Sequence, residues 1–401
     1  PWANIGYWGD HQTIYLVRLL ELSERFFPGK LEKWTDLALF TFADVPYEQK
    51  SYPDLLQNPR DTILFDAAKN EAIEKRTRNL GADGKLVLSG GRPLNVNFTE
   101  KILIPLLSKL SHFVPGAGIW MNTQRPEWND ANNALVGFGA SMVTVYYLRR
   151  YVHFLVGLYE KTAKNHWLLQ AELEEFFGAF ETILQDHAPL LQDEFTDRQR
   201  KSFLDLLGTA GSRYREKVYR TRSGEKKQLT KVRLLSFLSL VQQYLDHSIA
   251  WNKRPDGLFH AYNLLAFYPE EIKLRRLPEM LEGQVAVLGS GYLNEGEAPE
   301  LLDRLRNSAL YRPDQRSYLL YPDRSLPLFL EKNRIRPEDI QRSSLLQTLL
   351  NDGNPHIVVS GVDGSVHFQG DINNALALDE KLSELPQKYH EGVEAERKAI
   401  L

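Results

Sequence analysis

Apolar residues recur along this chain mostly at helical spacing, and clean period-two alternation is confined to one short place near the C-terminus. Residues 13–26 carry Ile14, Leu16, Val17, Leu19, Leu20 and Leu22, a wide buried face ended by Pro28 and Gly29. Residues 31–45 read as a partner helix closed by Pro46, and residues 62–80 and 99–113 repeat the pattern. The longest apolar span, 134–162, is hydrophobic on most sides and so belongs at the centre. Residues 168–191, 196–218 and 229–249 follow as three more long helices, and 299–305, 336–350, 373–385 and 389–401 as shorter ones. Only residues 356–360 and 366–369, joined by Gly361, Val362, Asp363 and Gly364, read as a β-hairpin.

About twelve helical segments with long polar and aromatic connections have to pair in order to bury their stripes, and no short sequence period recurs to make a regular solenoid. The expected fold is therefore all-α, an (α/α)6 toroid of about twelve helices with that one small hairpin, and residues 1–401 read as one domain. Alternate loops of such a toroid gather over one face, and function is expected there. The chain enters at Pro1 with structure under way and stops in mid-pattern, so the expectation is a fragment of a longer protein.

Composition narrows the function classes. Lys and Arg number 49 against 52 Asp and Glu, a net charge of −3, so no global field draws the chain to nucleic acid or to an anionic membrane. The basic run 219–233 around Ser223 and Gly224 lacks interleaved aromatics and reads as a solvated hairpin. There is no cysteine, which removes disulfides, thiolate metal sites and cysteine nucleophiles together. No apolar run approaches the roughly 20 residues of a membrane span, and a soluble chain follows, with the cytoplasm the compartment it leans toward. No H-E-x-x-H spacing, phosphate-binding loop or dinucleotide fingerprint occurs, and Gly137 to Ser141 fails the order of a nucleophile elbow. The expectation is no metal and no cofactor.

Candidate chemistry concentrates in residues 119–139, where Trp120, Arg125, Glu127, Trp128, Asn129, Asp130, Asn132 and Asn133 crowd one polar and aromatic stretch ahead of the central helix. Indole beside carboxylates and amides suits a flat polar ligand such as a sugar ring, although Asp130 or Asn129 would equally cap a helix with Trp128 turned inward. Tyr7, Trp8, Asp10 and His11 form a second such patch at the mouth of the first helix, where Asp10 would also serve as a cap. His260 lies in a polar and aromatic segment, as a ligand donor or as a satisfied core histidine. Glu295 and Glu297 stand in a glycine-rich turn at a helix start, a position that favours acids electrostatically in any case.

Trp128, Asn129 and Asp130, with Asn133, Gly139, Ser141, Val143 and Leu148 after them, resemble the Trp-Asn-Asp segment of inverting glycoside phosphorylases of the cellobiose and chitobiose phosphorylase type. Tyr7, Trp8, Gly9, Asp10 and His11 are similar, more loosely, to that family's loop whose aspartate holds the sugar next to the cleaved bond. The resemblance implies an (α/α)6 barrel preceded by a β-sandwich domain, with the aspartate at position 130 as general acid. Glu127 and Ala131 depart from the residues common in that motif.

Inverting cleavage of a glycosidic bond needs one protonated carboxyl on the leaving oxygen, and either a second carboxylate about 6.5–9.5 Å away to activate water or a phosphate that attacks unaided. The sequence reading assigns Asp130 as the acid and Glu295 or Glu297 as the base. Trp8, Asp10, His11, Arg125, Glu127, Trp128, Asn129, Asn133 and His260 would line the subsites of an oligosaccharide. Inorganic phosphate stands as an alternative co-substrate, and the sugar, the linkage and the oligomeric state stay open. The competing class is a non-catalytic carbohydrate-binding or helical scaffold domain.

Overall fold

The computed structural model describes residues 10–122, 134–220, 222–323 and 333–401, with the side chains of residues 10–12 outside that description. The chain divides into two compact units, residues 1–323 and 324–401, where the sequence pattern reads as one domain.

In the first unit the central element is the helix expected there. It is preceded by α1 (Asp10–Phe26) and α2 (Phe98–Leu110), and is itself α3 (Met142–Lys161). Then come α4 (Ala171–His187), α5 (Asp197–Arg220), α6 (Lys231–Ala250), α7 (Leu281–Gly289) and α8 (Glu297–Arg306). Helix α3 packs against α1, α6 and α7, and α4 against α5. Its Val145, Tyr146, Leu148, Tyr151, Val152 and Leu155 are fully buried, as its all-round apolar pattern requires.

The all-α expectation is corrected. Helices predominate, but the described residues also form six small sheets. The largest has five antiparallel strands, β1 (Phe113–Val114), β2 (Gly118–Met121), β3 (Gly139–Ser141), β4 (Tyr262–Phe267) and β5 (Ile272–Arg276), in the order β5-β4-β3-β2-β1. Strand β3 occupies the front of the span read as one helix over 134–162; Ser141 ends it, and its Oγ accepts from Thr144 N at 3.0 Å to cap α3. Leu168–Gln170, read as the start of a helix, belong instead to the strand His166–Gln170, which pairs with Lys226–Thr230, so the solvated hairpin expected over 219–233 is in part a mostly exposed strand paired outside that run. The partner helix expected over 31–45 is only Lys30–Trp34. Beyond it the chain extends, and Phe40 bridges Val96 while Ala43 bridges Leu86.

In the second unit the expected hairpin is present: Val358–Ser360 pairs with Val366–Phe368, and Arg334–Ile335 adds a third strand. Helices Ser344–Asn351, Ala375–Ser383 and His390–Ile400 close a separate core of Leu345, Leu349, Ile357, Leu382 and Tyr389. A core of its own is what lets a segment this short hold together.

Candidate active site

The stretch with the richest chemistry falls between two strands that pair directly. Ile119 faces Ser141, Trp120 faces Ala140 and Met121 faces Gly139. Gly118 makes this approach possible: its φ is 128°, and a Cβ there would lie 2.8 Å from the carbonyl carbon of Ser141. Gly137 N donates to Met121 O at 2.6 Å, and Trp120 Nε1 donates to Gly137 O at 3.0 Å. Trp120 is therefore core, packed 4.7 Å from the Phe267 ring, and not part of a sugar platform. At the near side Asn122 is buried, and its Nδ2 donates to His112 Nδ1 at 2.9 Å. Residues 123–133, with Arg125, Glu127, Trp128, Asn129, Asp130 and Asn133, lie outside the described residues; so do Trp8 and the side chains of Asp10 and His11.

The described helices on either side are held together by polar contacts. Arg150 of α3 holds Glu21 of α1, Nε to Oε1 at 2.5 Å and an NH2 contact to Oε2 at 2.9 Å. Further along both chains, Thr99 Oγ1 donates to Thr35 O at 2.8 Å and accepts from Tyr159 OH at 2.9 Å, while Lys164 pairs with Asp36. The segment after α1 thus reaches the far end of α3, and at about 1.5 Å per residue Met142 starts α3 roughly 12 Å before the Arg150 level.

The Met142 end of α3 receives the segment bearing His260. Met142 N donates to Ala261 O at 2.9 Å, and Tyr146 OH donates to His260 O at 2.9 Å. The His260 ring itself is turned away to a structural task, with Nδ1 donating to Leu277 O at 2.8 Å. Burial, with Arg254 and Arg276 nearby, lowers its pKa to about 4, so it is neutral at pH 7. Of the two readings offered for His260, the satisfied core histidine is the one these contacts support.

Glu297 and Glu295 follow the turn after α7, which Arg149 and Arg150 bind through Ser290 O at 3.0 Å and Gly289 O at 2.8 Å. Glu297 opens α8 in a reciprocal cap: Asn294 Oδ1 accepts from Gly296 N and Glu297 N, and Glu297 Oε2 accepts from Asn294 N, all at 2.9–3.0 Å. Glu295 is exposed. Among the described residues no group of three or more His, Asp or Glu is placed to hold a metal ion.

Comparison with known proteins adds one finding. Residues 326–401 match the family model described as GH149 phosphorylase insertion domain 2. The similarity of this segment is to a domain of a glycoside phosphorylase family. The match coincides with the second compact unit, whose helices and hairpin carried no functional signal in the sequence. No curated protein matches the chain.

The sequence assigns no role to Arg149 and Arg150. Arg149 Nε donates to Asp246 Oδ1 at 2.6 Å and its guanidinium lies 5.5 Å from the Tyr292 ring, so the adjacent pair Arg149–Arg150 ties α1, α6 and the turn after α7 to one level of α3. His112 was missed as well. It is fully enclosed, and burial together with the Arg215 and Lys109 charges keeps its pKa well below the usual histidine value. Two consecutive arginines inside an apolar helix were the available clue to the first; nothing in the sequence marked the second.

Proposed function

We propose that this chain belongs to the catalytic part of an inverting glycoside phosphorylase acting on an oligosaccharide, with helices arranged as an (α/α)6 toroid and Asp130 as its general acid. The match of residues 326–401 to a phosphorylase insertion domain is the observation that carries the reading. The Glu21–Arg150 pair is in keeping with it, since it joins α1, which starts at Asp10, to the central helix α3.

In the proposed reaction the carboxyl proton of Asp130 passes to the glycosidic oxygen as the bond to the anomeric carbon breaks. A phosphate oxygen attacks that carbon from the opposite face, giving a sugar 1-phosphate of inverted configuration and a shortened acceptor. Phosphate is itself an anionic nucleophile, so no second carboxylate is required to activate water. The capping role of Glu297 and the exposure of Glu295 favour this over a carboxylate base. Arg125, Glu127, Trp128, Asn129 and Asn133 on one side, and Trp8, Asp10 and His11 on the other, remain the proposed sugar-binding groups. The test is to incubate the protein with oligosaccharide panels with and without phosphate. Sugar 1-phosphate formed only when phosphate is present supports the reading, and phosphate-independent release of free sugar overturns it.

A further inference from the structure

A cavity lies toward the C-terminal end of α3. That helix is roughly 30 Å long, and its far end meets Thr99 through Tyr159. Nearby, Val87 to Asn95 ahead of α2, the residues Gln170 and Lys226 of the paired strands His166–Gln170 and Lys226–Thr230, and Val218 to Arg220 border a cavity of about 610 Å³. Its walls carry Lys69, Arg76, Arg220, Arg222 and Lys226 against one lining carboxylate, Asp44.

The charge balance around the cavity favours an anion. Asp44 is shared by two cations, at 3.3 Å from Lys69 and 2.8 Å from Arg76, so it neutralises only one of them. Arg220 pairs with Glu216 at 3.3 Å, but both side chains are more than half exposed, and such a pair is weak. Behind the wall Glu172 accepts from Ser223 N at 2.6 Å, and the buried Glu100 accepts from Gln170 N at 2.8 Å. Burial raises Glu100 to about 7, so near neutral pH it supplies only part of a negative charge to this region. Arg222 is itself engaged, acting on Glu172 and Glu100 and lying 5.6 Å from the Phe42 ring, yet five lining cations against these carboxylates leave the cavity positive, and arginine forks beside lysine ammonium groups are the side chains that hold phosphate oxygens well.

We infer that this cavity binds a phosphate monoester or inorganic phosphate at a site remote from the proposed catalytic end, with Arg222 and Lys226 as its principal cationic contacts. The volume admits a hexose carrying its phosphate, and Asn95 and Ser89 on the lining offer hydrogen-bonding groups to hydroxyls. The inference stands on the cavity and its charges, independently of the assignment of Asp130.

The experiment uses the full chain carrying Asp130→Asn, with binding of glucose 1-phosphate, inorganic phosphate and glucose followed by calorimetry at two salt concentrations. Lys226→Glu changes an exposed strand position opposite Gln170, so the fold should tolerate it. It is expected to weaken binding of the phosphorylated probes by on the order of tenfold or more, and Arg222→Ala with Lys226→Ala to remove that component, while glucose shows none. Higher salt should weaken the same component. Glucose 1-phosphate binding at least about tenfold tighter than inorganic phosphate would identify a sugar phosphate as the ligand, and equal affinities would identify free phosphate. Binding of both phosphorylated probes that is unchanged in Lys226→Glu, or absent from the parent chain, overturns the inference. Phosphorolysis by the chain with native Asp130 and Lys226→Glu is read separately, so failure of the remote site and failure of the catalytic reading are distinguishable.

Discussion

Arg150 grips Glu21 with two hydrogen bonds, at 2.5 and 2.9 Å, while a third from the same guanidinium reaches Gly289 O at 2.8 Å. One side chain thereby sets the level of α1 on α3 and anchors the turn that leads to Glu295 and Glu297. Both partners are about a quarter exposed, so the forked geometry counts for more than an ordinary surface pair but less than a fully desolvated one. A double-mutant cycle of Glu21→Gln and Arg150→Met should give a coupling of about 1–2 kcal/mol in denaturant unfolding. Additive single effects would show that the pair does not hold the two helices in register.

Gly118 brings β2 into close backbone contact with β3. At φ 128°, with a Cβ 2.8 Å from Ser141 backbone atoms, Gly118→Ala combines strain with a clash that only strand separation can relieve. A loss of about 2–3 kcal/mol of stability is expected, measured by chemical denaturation. A change below about 0.5 kcal/mol would mean that β2 and β3 are not paired as described.

Asn122 is the last described residue before 123–133, and His112 receives its amide. His112 is kept neutral by burial first and by the Arg215 charge second, so its Nδ1 stays available as an acceptor. Replacing Asn122 by Ala should lower kcat by on the order of tenfold with little change in KM, because the proposed acid Asp130 follows this buried anchor in the chain. An equal rise in KM at constant kcat would point to lost binding instead.

Buried titratable groups pull stability in opposite directions with pH. For His260 and His112 the folded pKa lies below the ordinary 6.5, so the unfolded chain binds more protons and stability is lost as pH falls below about 6.5, for His260 down to about 4. Glu100 behaves inversely. Burial raises it to about 7, so the folded chain holds the extra proton, and stability is lost as pH rises from about 4.5 through 7. Glu100→Gln should therefore stabilise the protein at pH 8, by on the order of 1–3 kcal/mol, with the advantage shrinking toward pH 5. A pH-independent difference in melting temperature between the two proteins would contradict the buried, raised carboxyl.

The helices were legible because their apolar stripes are long: α1, α5, α6 and the central part of α3 lie where the spacing puts them, as does the hairpin across Gly361 to Gly364. The five-stranded sheet was not legible. Its strands run from two to six residues, too short to establish a period, and Gly139, Ala140 and Ser141 are small residues chosen for close backbone contact rather than for β-propensity. Lys226–Thr230 was hidden for another reason: four of its five residues are exposed, and an exposed basic strand has the composition of a solvated loop. At the candidate site the capping alternatives were visible from residue type alone, and Glu297 does take one. That His112 lies beneath Asn122 depends on the fold of residues 112–122 back on themselves, which neither residue signals locally.

The central claim is that Asp130 delivers the proton while phosphate attacks the sugar. The most direct measurement is the configuration and amount of sugar 1-phosphate formed from the true oligosaccharide by the native chain and by Asp130→Asn. The account predicts a sugar phosphate inverted at the anomeric carbon and a loss of turnover in Asp130→Asn of at least about a thousandfold. Near-normal turnover by the variant, or a product of retained configuration, would contradict it.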